Sequence, residues 1–190
     1  MGNKYNAVVV VGPEGSGTTA LANLTSRLTG WRRTDPSAVS IQRFQMHSHQ
    51  AVHHISFPSH RPEVWWSPSE AWPDTTPVIG IVRRALDSTY SAWRRFHEYP
   101  LGQAKTVEDY WEYHIKARQM TYKYSKVVMV YERLCMAPQV NINRLALFLG
   151  VDSVPYADLG MEFESQNGKF YADKAFMRGV YAIPGFTGVV

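Results

Sequence analysis

A glycine-rich stretch near the beginning of the sequence has the residue types that bind a phosphate or sulfate group. Residues 8–20 read VVVVGPEGSGTTA, so four valines lead into three glycines and then into two threonines. Glycines allow a tight turn whose backbone N–H groups point at an anion, and the N-terminus of a helix favours negative charge. The pattern therefore predicts a buried strand, an anion-binding loop and a helix that begins near Thr18 and ends near Gly30.

This loop departs from the nucleotide-binding P-loop pattern GxxxxGK[ST] at one position. Gly12, Gly17 and Thr19 fall in register with the pattern, but Thr18 stands where the lysine belongs. Because that lysine contacts the phosphates of a nucleoside triphosphate, its absence weakens the assignment as an ordinary NTPase. On this loop alone, a strand, turn and helix with glycines kept only for close packing is the alternative.

A second group of polar residues follows another apolar run. Residues 78–82 read VIGIV, a pattern typical of a buried parallel strand, and Arg83 and Arg84 come directly after them. A helix is predicted to begin near Asp87 and to carry Ser91 one turn later. Ligands bind outside the carboxyl ends of parallel strands, where the glycine loop also lies, so an arginine and a hydroxyl can bind one further phosphate there. The alternative is a surface arginine paired with an acidic neighbour.

Five of the seven histidines lie within residues 46–61, MHSHQAVHHISFPSHR. The strand-like composition of residues 51–57 places His53 and His54 on opposite faces by alternation. No CxxC or HExxH pattern accompanies the histidines, so no metal site is predicted. A histidine at the end of this strand, near the glycine loop, is a better general base, because imidazole titrates close to working pH. Packing or surface exposure is the alternative for each of them.

Strand and helix patterns alternate along the chain. A helix is predicted over residues 106–126, a strand over 126–131, and a helix over 138–149 with proline at its start and Gly150 at its end. Residues 31–45 and 61–77 are predicted to be loops. The alternation predicts an α/β fold with a parallel sheet and helices on both faces. Residues 152–190 are predicted to be a tail that either folds back over a ligand or remains solvated.

Composition narrows the class of protein. The 190 residues, 45% of them hydrophobic, predict one soluble domain over residues 1–190 with its own core. The single cysteine, Cys135, excludes an internal disulfide framework and favours a reducing, cytoplasmic location. No leader segment and no apolar run long enough to cross a membrane is expected. The net charge of +4 is modest and scattered, which favours a small anionic ligand over nucleic acid.

Three segments in order resemble the sulfotransferases that use 3′-phosphoadenosine 5′-phosphosulfate (PAPS). Residues 12–21, GPEGSGTTAL, are similar to the loop that binds the 5′-phosphosulfate in that family. Residues 81–93, IVRRALDSTYSAW, are similar to its 3′-phosphate motif, and residues 127–151 to its later strand, tyrosine-glutamate turn and helix. The resemblance covers most of the chain and suggests a small, divergent member with the P-loop-NTPase-like sulfotransferase fold.

The resemblance implies transfer of a sulfuryl group from PAPS to a hydroxyl or amine, with 3′-phosphoadenosine 5′-phosphate (PAP) as product and no metal. The acceptor is expected to be a small molecule or saccharide, with no nucleic-acid or membrane partner. By this carry-over His54 and His60 are the candidate catalytic bases. The residues implied to bind the donor are Gly15, Ser16, Gly17, Thr18 and Thr19 at its 5′ end, Arg83 and Ser91 at its 3′-phosphate, and Arg178 from the C-terminal segment.

One position departs from the family. Gly15, beside Glu14, stands where the family has lysine or arginine to neutralise charge on the bridging oxygen. Either another cation supplies that charge, such as a clustered histidine, Arg84 or a tail residue, or the protein binds nucleotide with little transfer. Two alternatives to a sulfotransferase therefore stay open, a catalytically weak nucleotide-binding protein on the same fold and a P-loop nucleotide kinase.

Overall fold

A computed structural model describes residues 5, 7–34, 50–57, 76–98, 104–164 and 168–186. The strands are β1 (Ala7–Pro13), β2 (Arg32–Thr34), β3 (Ala51–Phe57), β4 (Val78–Val82) and β5 (Val127–Val130). The helices are α1 (Thr18–Thr29), α2 (Ala85–Phe96), α3 (Val107–Tyr124), α4 (Tyr131–Met136), α5 (Pro138–Leu149) and α6 (Lys174–Ala182). Of these helices, none combines the length and the apolar character that crossing a membrane requires.

All five strands form one parallel sheet in the order β2-β3-β1-β4-β5. The central strand β1 is buried along its whole length, as a parallel strand covered on both faces must be. Its last residues pair with the end of β3, with Gly12 opposite Ser56. The carboxyl ends of the strands consequently meet at one edge of the sheet, where the glycine loop and Arg83 emerge.

Helices cover both faces of the sheet, which confirms the predicted α/β class. Val8 and Val10 of β1 point to one face and pack in the same cluster as Leu24 of α1. Val9 of β1 points to the other face and packs with Ala117 of α3. The alternation of side chains along a strand thus divides the valine run between two hydrophobic clusters.

The segment after α1 differs from the predicted loop, because Arg32–Thr34 forms the short edge strand β2. Its backbone pairs in parallel with β3, and the Arg32 N–H donates to the carbonyl of Gln50 at 3.2 Å. The Thr34 hydroxyl lies 2.8 Å from Nδ1 of His53. Three residues are too few to show an alternating pattern, so this strand is defined by its partner rather than by its own sequence.

The described residues after Asp152, 153–164 and 168–186, include a helix that packs against the rest of the fold. Phe176 and Val180 of α6 are fully buried, in a cluster with Val107 of α3. The N–H of Gly168 donates to Oδ1 of Asp87 at 2.7 Å, which ties the segment to α2. The helix α6 is short and has few apolar positions, so its sequence pattern alone does not predict that it packs against α3.

A buried histidine on α3 predicts sensitivity of the fold to acid. Burial, and secondarily the charge of Arg118, lowers the pKa of His114 to about 3 from its ordinary 6.5. Between these values the unfolded chain binds a proton that the folded chain does not, so the free energy of unfolding falls as pH falls. We expect a loss of about 2 kcal/mol from this group between about pH 7 and about pH 5.

Urea denaturation of the wild type and of His114→Met at both pH values measures this effect. The variant is expected to lose less stability on acidification, while a smaller pH dependence remains from His53, whose pKa is also lowered by burial. Equal losses of unfolding free energy in the two proteins would show that the pKa of His114 is not lowered in the folded state.

Candidate functional site

The glycine loop between β1 and α1 adopts a conformation that requires glycine. Gly15 and Gly17 have φ angles of +76° and +96°, in the left-handed region that side chains disfavour. A Cβ at Gly12 would lie 2.5 Å from the carbonyl oxygen of Ile81, so the start of the loop presses against the end of β4. The glycines at these positions thus serve both backbone conformation and close approach.

The N-terminus of α1 opens directly onto this loop. Gly17 is the N-cap residue, no side chain caps it, and the first turn carries no acidic residue. The first N–H groups of a helix lack intrahelical partners, and the helix dipole adds positive potential there. This end of α1 therefore has the properties of an anion-binding site.

Two hydroxyl groups hold the loop in place. Ser16 is fully buried, and its Oγ donates to the carbonyl of Pro13 at 2.6 Å. Thr18 is also buried, and its Oγ1 lies 2.7 Å from Oγ of Ser56 at the end of β3. Both side-chain hydroxyls therefore hydrogen-bond within the protein. These contacts fix the loop backbone and with it the direction of its N–H groups.

A cavity of about 360 Å³ lies at the loop. The predicted donor-binding residues that line it are Gly15, Gly17, Thr18, Thr19, Arg83 and Ser91. Glu14, Ala20, Asn23, Ser56, Arg95 and Tyr131 complete the lining. Residues from β3, α1, α2 and α4 thus surround the helix N-terminus, and Ser16 supports the loop from beneath.

A second cavity of about 250 Å³ adjoins the first and is strongly cationic. Within the described part of the chain, its lining consists of Arg83, Tyr90, Ser91, Arg94, Arg95 and Lys169. Four of these six side chains are basic, and none is acidic. Because Arg83, Ser91 and Arg95 line both cavities, the two adjoin at these residues, and together they are called the groove, with an anion-binding loop at one end and a cluster of cations at the other.

Arg83 lies at the junction of the two cavities. Its guanidinium carbon is 5.1 Å from the centroid of the Tyr131 ring, and Nη1 approaches the carbonyl oxygen of Gly15 at 3.5 Å. Arg84 points elsewhere, since its Nε lies 3.7 Å from Oδ2 of the buried Asp87. The alternative of a surface cation paired with an acidic neighbour thus describes Arg84, whereas Arg83 faces the groove.

The fold explains why position 15 carries no basic side chain. A Cβ on Gly15 would lie 2.6 Å from the carbonyl oxygen of Ser88 and 2.8 Å from Cβ of Ser91. Helix α2 therefore packs too closely against the loop for a lysine or arginine to fit there. The cations near the loop come instead from Arg83 and from Arg95 on α2.

Two ionisable groups beside the groove stay protonated at neutral pH. Burial raises the pKa of the Tyr131 hydroxyl, which donates to the carbonyl of Glu164 at 3.0 Å. Burial also raises the pKa of the Cys135 thiol. A thiol with a raised pKa is a poor nucleophile, so the chemistry of Cys135 favours a structural role.

Two predicted site residues lie outside this groove. His54 lies on β3 opposite Val10, on the face covered by α1, and lines neither cavity. Arg178 is exposed on α6 and also lines neither cavity, while the adjacent Gly179 packs closely against Val107. His60 lies outside the described residues. The roles of these three residues stay predictions. Within the described ranges, no three His, Cys, Asp or Glu side chains cluster as metal ligands would.

Several groove residues were missed by sequence reasoning. Arg94 and Arg95 follow Ser91 by three and four residues on α2, so helical spacing alone was a signal that they share its face. Ser56 lies one residue before the end of β3, close in sequence to the histidines of that segment, and no motif marks it. Lys169 lies in the C-terminal segment, and only the tertiary structure shows that it reaches the groove.

Comparison with known proteins gives likeness of structure rather than of sequence. No protein-family model matches the chain, and no curated protein matches it at a significant level. The crystal structure of mouse sulfotransferase SULT7A1 complexed with PAP matches with a TM-score of 0.55 and 18% identity. That match covers 83% of this chain and 61% of the mouse protein, so the chain spans less than two thirds of its length.

A second solved structure agrees with the first. The sulfotransferase domain of the olefin synthase from Synechococcus PCC 7002 matches with a TM-score of 0.51 and 14% identity, over 93% of this chain and 84% of that one. A shikimate kinase from Acinetobacter baumannii also matches, at a TM-score of 0.48 that supports no conclusion. The parallel sheet, the glycine loop after β1 and the two likenesses together show that the chain has the sulfotransferase fold.

Proposed function

We propose that this chain binds PAPS and transfers its sulfuryl group to a hydroxyl or amine, releasing PAP. The observation that supports this most is the groove, with an anion-binding loop at one end and Arg83, Ser91, Arg95 and Lys169 toward the other. A ligand with anionic groups at two separated points matches that distribution of charge. The mouse protein with the same fold was solved with PAP, which has phosphates at its 3′ and 5′ positions.

The residues present fit such a donor. The N–H groups of the loop and of the first turn of α1 would bind the 5′ end, since no side chain caps this helix. Arg83 and Ser91 would bind the 3′-phosphate, and Arg95 and Lys169 would add positive charge. PAPS supplies an activated sulfuryl group, and the protein's part is to orient it and to stabilise charge, by analogy with phosphoryl transfer.

A P-loop nucleotide kinase is the less favoured alternative. The lysine position holds Thr18, whose hydroxyl is buried and paired with Ser56. No ammonium group can therefore reach the β- and γ-phosphates from this position, as it does in P-loop NTPases. Arg94 and Lys169 line the second cavity and not the loop cavity, so binding of magnesium and a triphosphate at the loop does not account for them.

A catalytically weak nucleotide-binding protein is the second alternative, and Gly15 is the observation that favours it. A basic side chain at this position is lacking, and Nη1 of Arg83 lies 3.5 Å from the carbonyl oxygen of Gly15. Tight binding of PAP without turnover for any acceptor would support this alternative.

The setting of the reaction is also a proposal. Cys135 is the single cysteine and is not in a disulfide, which fits the reducing cytoplasm. The two cavities measure about 250 and 360 Å³, volumes that suit a small ligand, so a small molecule or saccharide is the acceptor that we propose, without a nucleic-acid or membrane partner.

Calorimetric titration with PAP, AMP and magnesium-ATP tests the donor site. We expect PAP to bind without magnesium and about 10- to 100-fold more tightly than AMP, because AMP lacks the phosphate for the cationic end of the groove. A preference for magnesium-ATP would support the kinase instead, and equal affinities for PAP and AMP would contradict the assignment of the 3′-phosphate site.

A further inference from the structure

One residue of the loop cavity has the wrong charge for an anion-binding site. Among the described residues that line this cavity, Glu14 is the single carboxylate, and it directly precedes Gly15 in the loop. A carboxylate beside a bound phosphosulfate repels it, which weakens binding of the donor. Binding of the donor therefore does not by itself account for a negative charge at this position.

The backbone of Glu14 is fixed on both sides. Its N–H donates to the carbonyl of Phe57, the last residue of β3, at 3.2 Å. Its carbonyl accepts from Oγ of the fully buried Ser88 on α2 at 2.9 Å. The side chain consequently starts from a defined point between β3 and α2, at the rim of the cavity that holds the glycine loop.

A buried tyrosine interacts electrostatically with this carboxylate. Tyr110 on α3 is fully buried, and within the described part of the chain its hydroxyl has no hydrogen-bond partner. Burial raises the pKa of Tyr110, and the negative charge of Glu14 raises it further. The hydroxyl therefore stays uncharged at neutral pH, and Tyr110 is not among the residues that line the two cavities.

Two arginines share the cavity with this carboxylate. The titratable groups that share its cavity are Arg83 after β4, Arg95 on α2 and Tyr131 on α4, while β3 contributes Ser56, which does not titrate at working pH. From α3, Tyr110 interacts with it electrostatically. The two arginines keep the overall charge of the cavity positive, so an anionic donor can bind despite Glu14.

We propose that Glu14 is the general base that accepts the proton of the acceptor, an inference that rests on the sulfotransferase function proposed above. The acceptor oxygen or nitrogen forms a bond to sulfur while the bond between sulfur and the bridging phosphate oxygen breaks. The electron pair of that bond leaves with PAP, and the proton of the acceptor passes to the Glu14 carboxylate.

This role predicts opposite effects of one substitution on binding and on turnover. Glu14→Gln removes the repulsion, so PAP is expected to bind about threefold to tenfold more tightly by calorimetry. The same variant cannot accept a proton, so release of PAP from PAPS is expected to slow at least about 100-fold. In the wild type the rate should fall as the pH is lowered, because the carboxylate becomes protonated, and this acid limb should vanish in Glu14→Gln.

Turnover is measured with water, 2-naphthol and glucosamine as acceptors, and each variant is compared with matched controls. Glu112→Gln removes an exposed carboxylate of α3 and is expected to change neither binding nor rate. Glu14→Asp keeps the carboxylate and should recover part of the rate and the acid limb. His54→Gln tests the histidine predicted from the sequence in the same assay.

The outcomes separate this inference from the proposed function. Wild-type turnover with an unchanged rate in Glu14→Gln, or an acid limb lost in His54→Gln but kept in Glu14→Gln, would overturn the assignment of Glu14. Binding of PAP by the wild type with no release above the protein-free rate for any acceptor would also overturn it, while leaving the donor site intact. Failure of the wild type to bind PAP would overturn both.

Discussion

Replacing Arg83 by alanine is expected to weaken PAP binding by about 100-fold and to remove most of the preference for PAP over AMP. Arg83 lines both cavities and lies at their junction, where its guanidinium stacks over Tyr131. A charge-assisted contact to phosphate is among the stronger interactions in a binding site. Calorimetry with both nucleotides measures the affinity and the preference together.

The neighbouring arginine provides the matched control. Arg84→Gln removes a positive charge from the same turn, but Arg84 is exposed and points to Asp87, away from the groove. We expect it to leave the affinity for PAP within about twofold, because an exposed charge outside the groove interacts weakly with the ligand. Thermal unfolding checks that both variants fold. An unchanged preference for PAP over AMP in Arg83→Ala would show that the 3′-phosphate binds elsewhere.

Gly17→Ala is expected both to destabilise the protein and to abolish measurable PAP binding. Gly17 has a φ angle of +96°, and a Cβ there would lie 2.6 Å from Cδ2 of Tyr131. Backbone strain costs about 1–2 kcal/mol in the left-handed region, and the collision adds about 1–3 kcal/mol. Because Gly17 is the N-cap of α1, any shift that relieves the collision also moves the N–H groups that would bind the donor.

Gly30 at the other end of α1 separates these two contributions. It also has a left-handed backbone, with φ of +71°, but nothing lies within 4 Å of a Cβ added there. Gly30→Ala should therefore show the strain alone, a loss of about 1–2 kcal/mol in the free energy of unfolding, with PAP binding unchanged. Equal destabilisation of the two variants, with binding kept in both, would show that Tyr131 moves aside freely and that the loop tolerates a side chain.

The glycine loop illustrates what could be predicted from local sequence. Four valines followed by glycines specify a buried strand and a tight turn, and the structure has both, with β1 buried and Gly15 and Gly17 left-handed. The strand before Arg83 and the helix that carries Ser91 were predicted for the same reason. Apolar runs and helical periodicity are properties of neighbouring residues, so they are visible without knowledge of the rest of the chain.

Short elements with long-range partners could not be predicted in this way. The edge strand β2 is only three residues long and depends on β3 for its hydrogen bonds. The helix α6 depends on contacts of Phe176 and Val180 with residues about 70 positions earlier, such as Val107. Sequence separation hides such contacts, because a pattern within one segment does not identify the segment against which it packs.

For the candidate site, the sequence by itself determined that an anion-binding loop and Arg83 with Ser91 emerge at the carboxyl ends of two strands. The tertiary structure decided which further charges share that place, since Arg95, Lys169 and Glu14 come from three distant segments that meet only in the fold. It also decided why position 15 is glycine, because α2 fills the space that a basic side chain would need. Local residue types specify backbone conformation, whereas the composition of a groove depends on long-range packing.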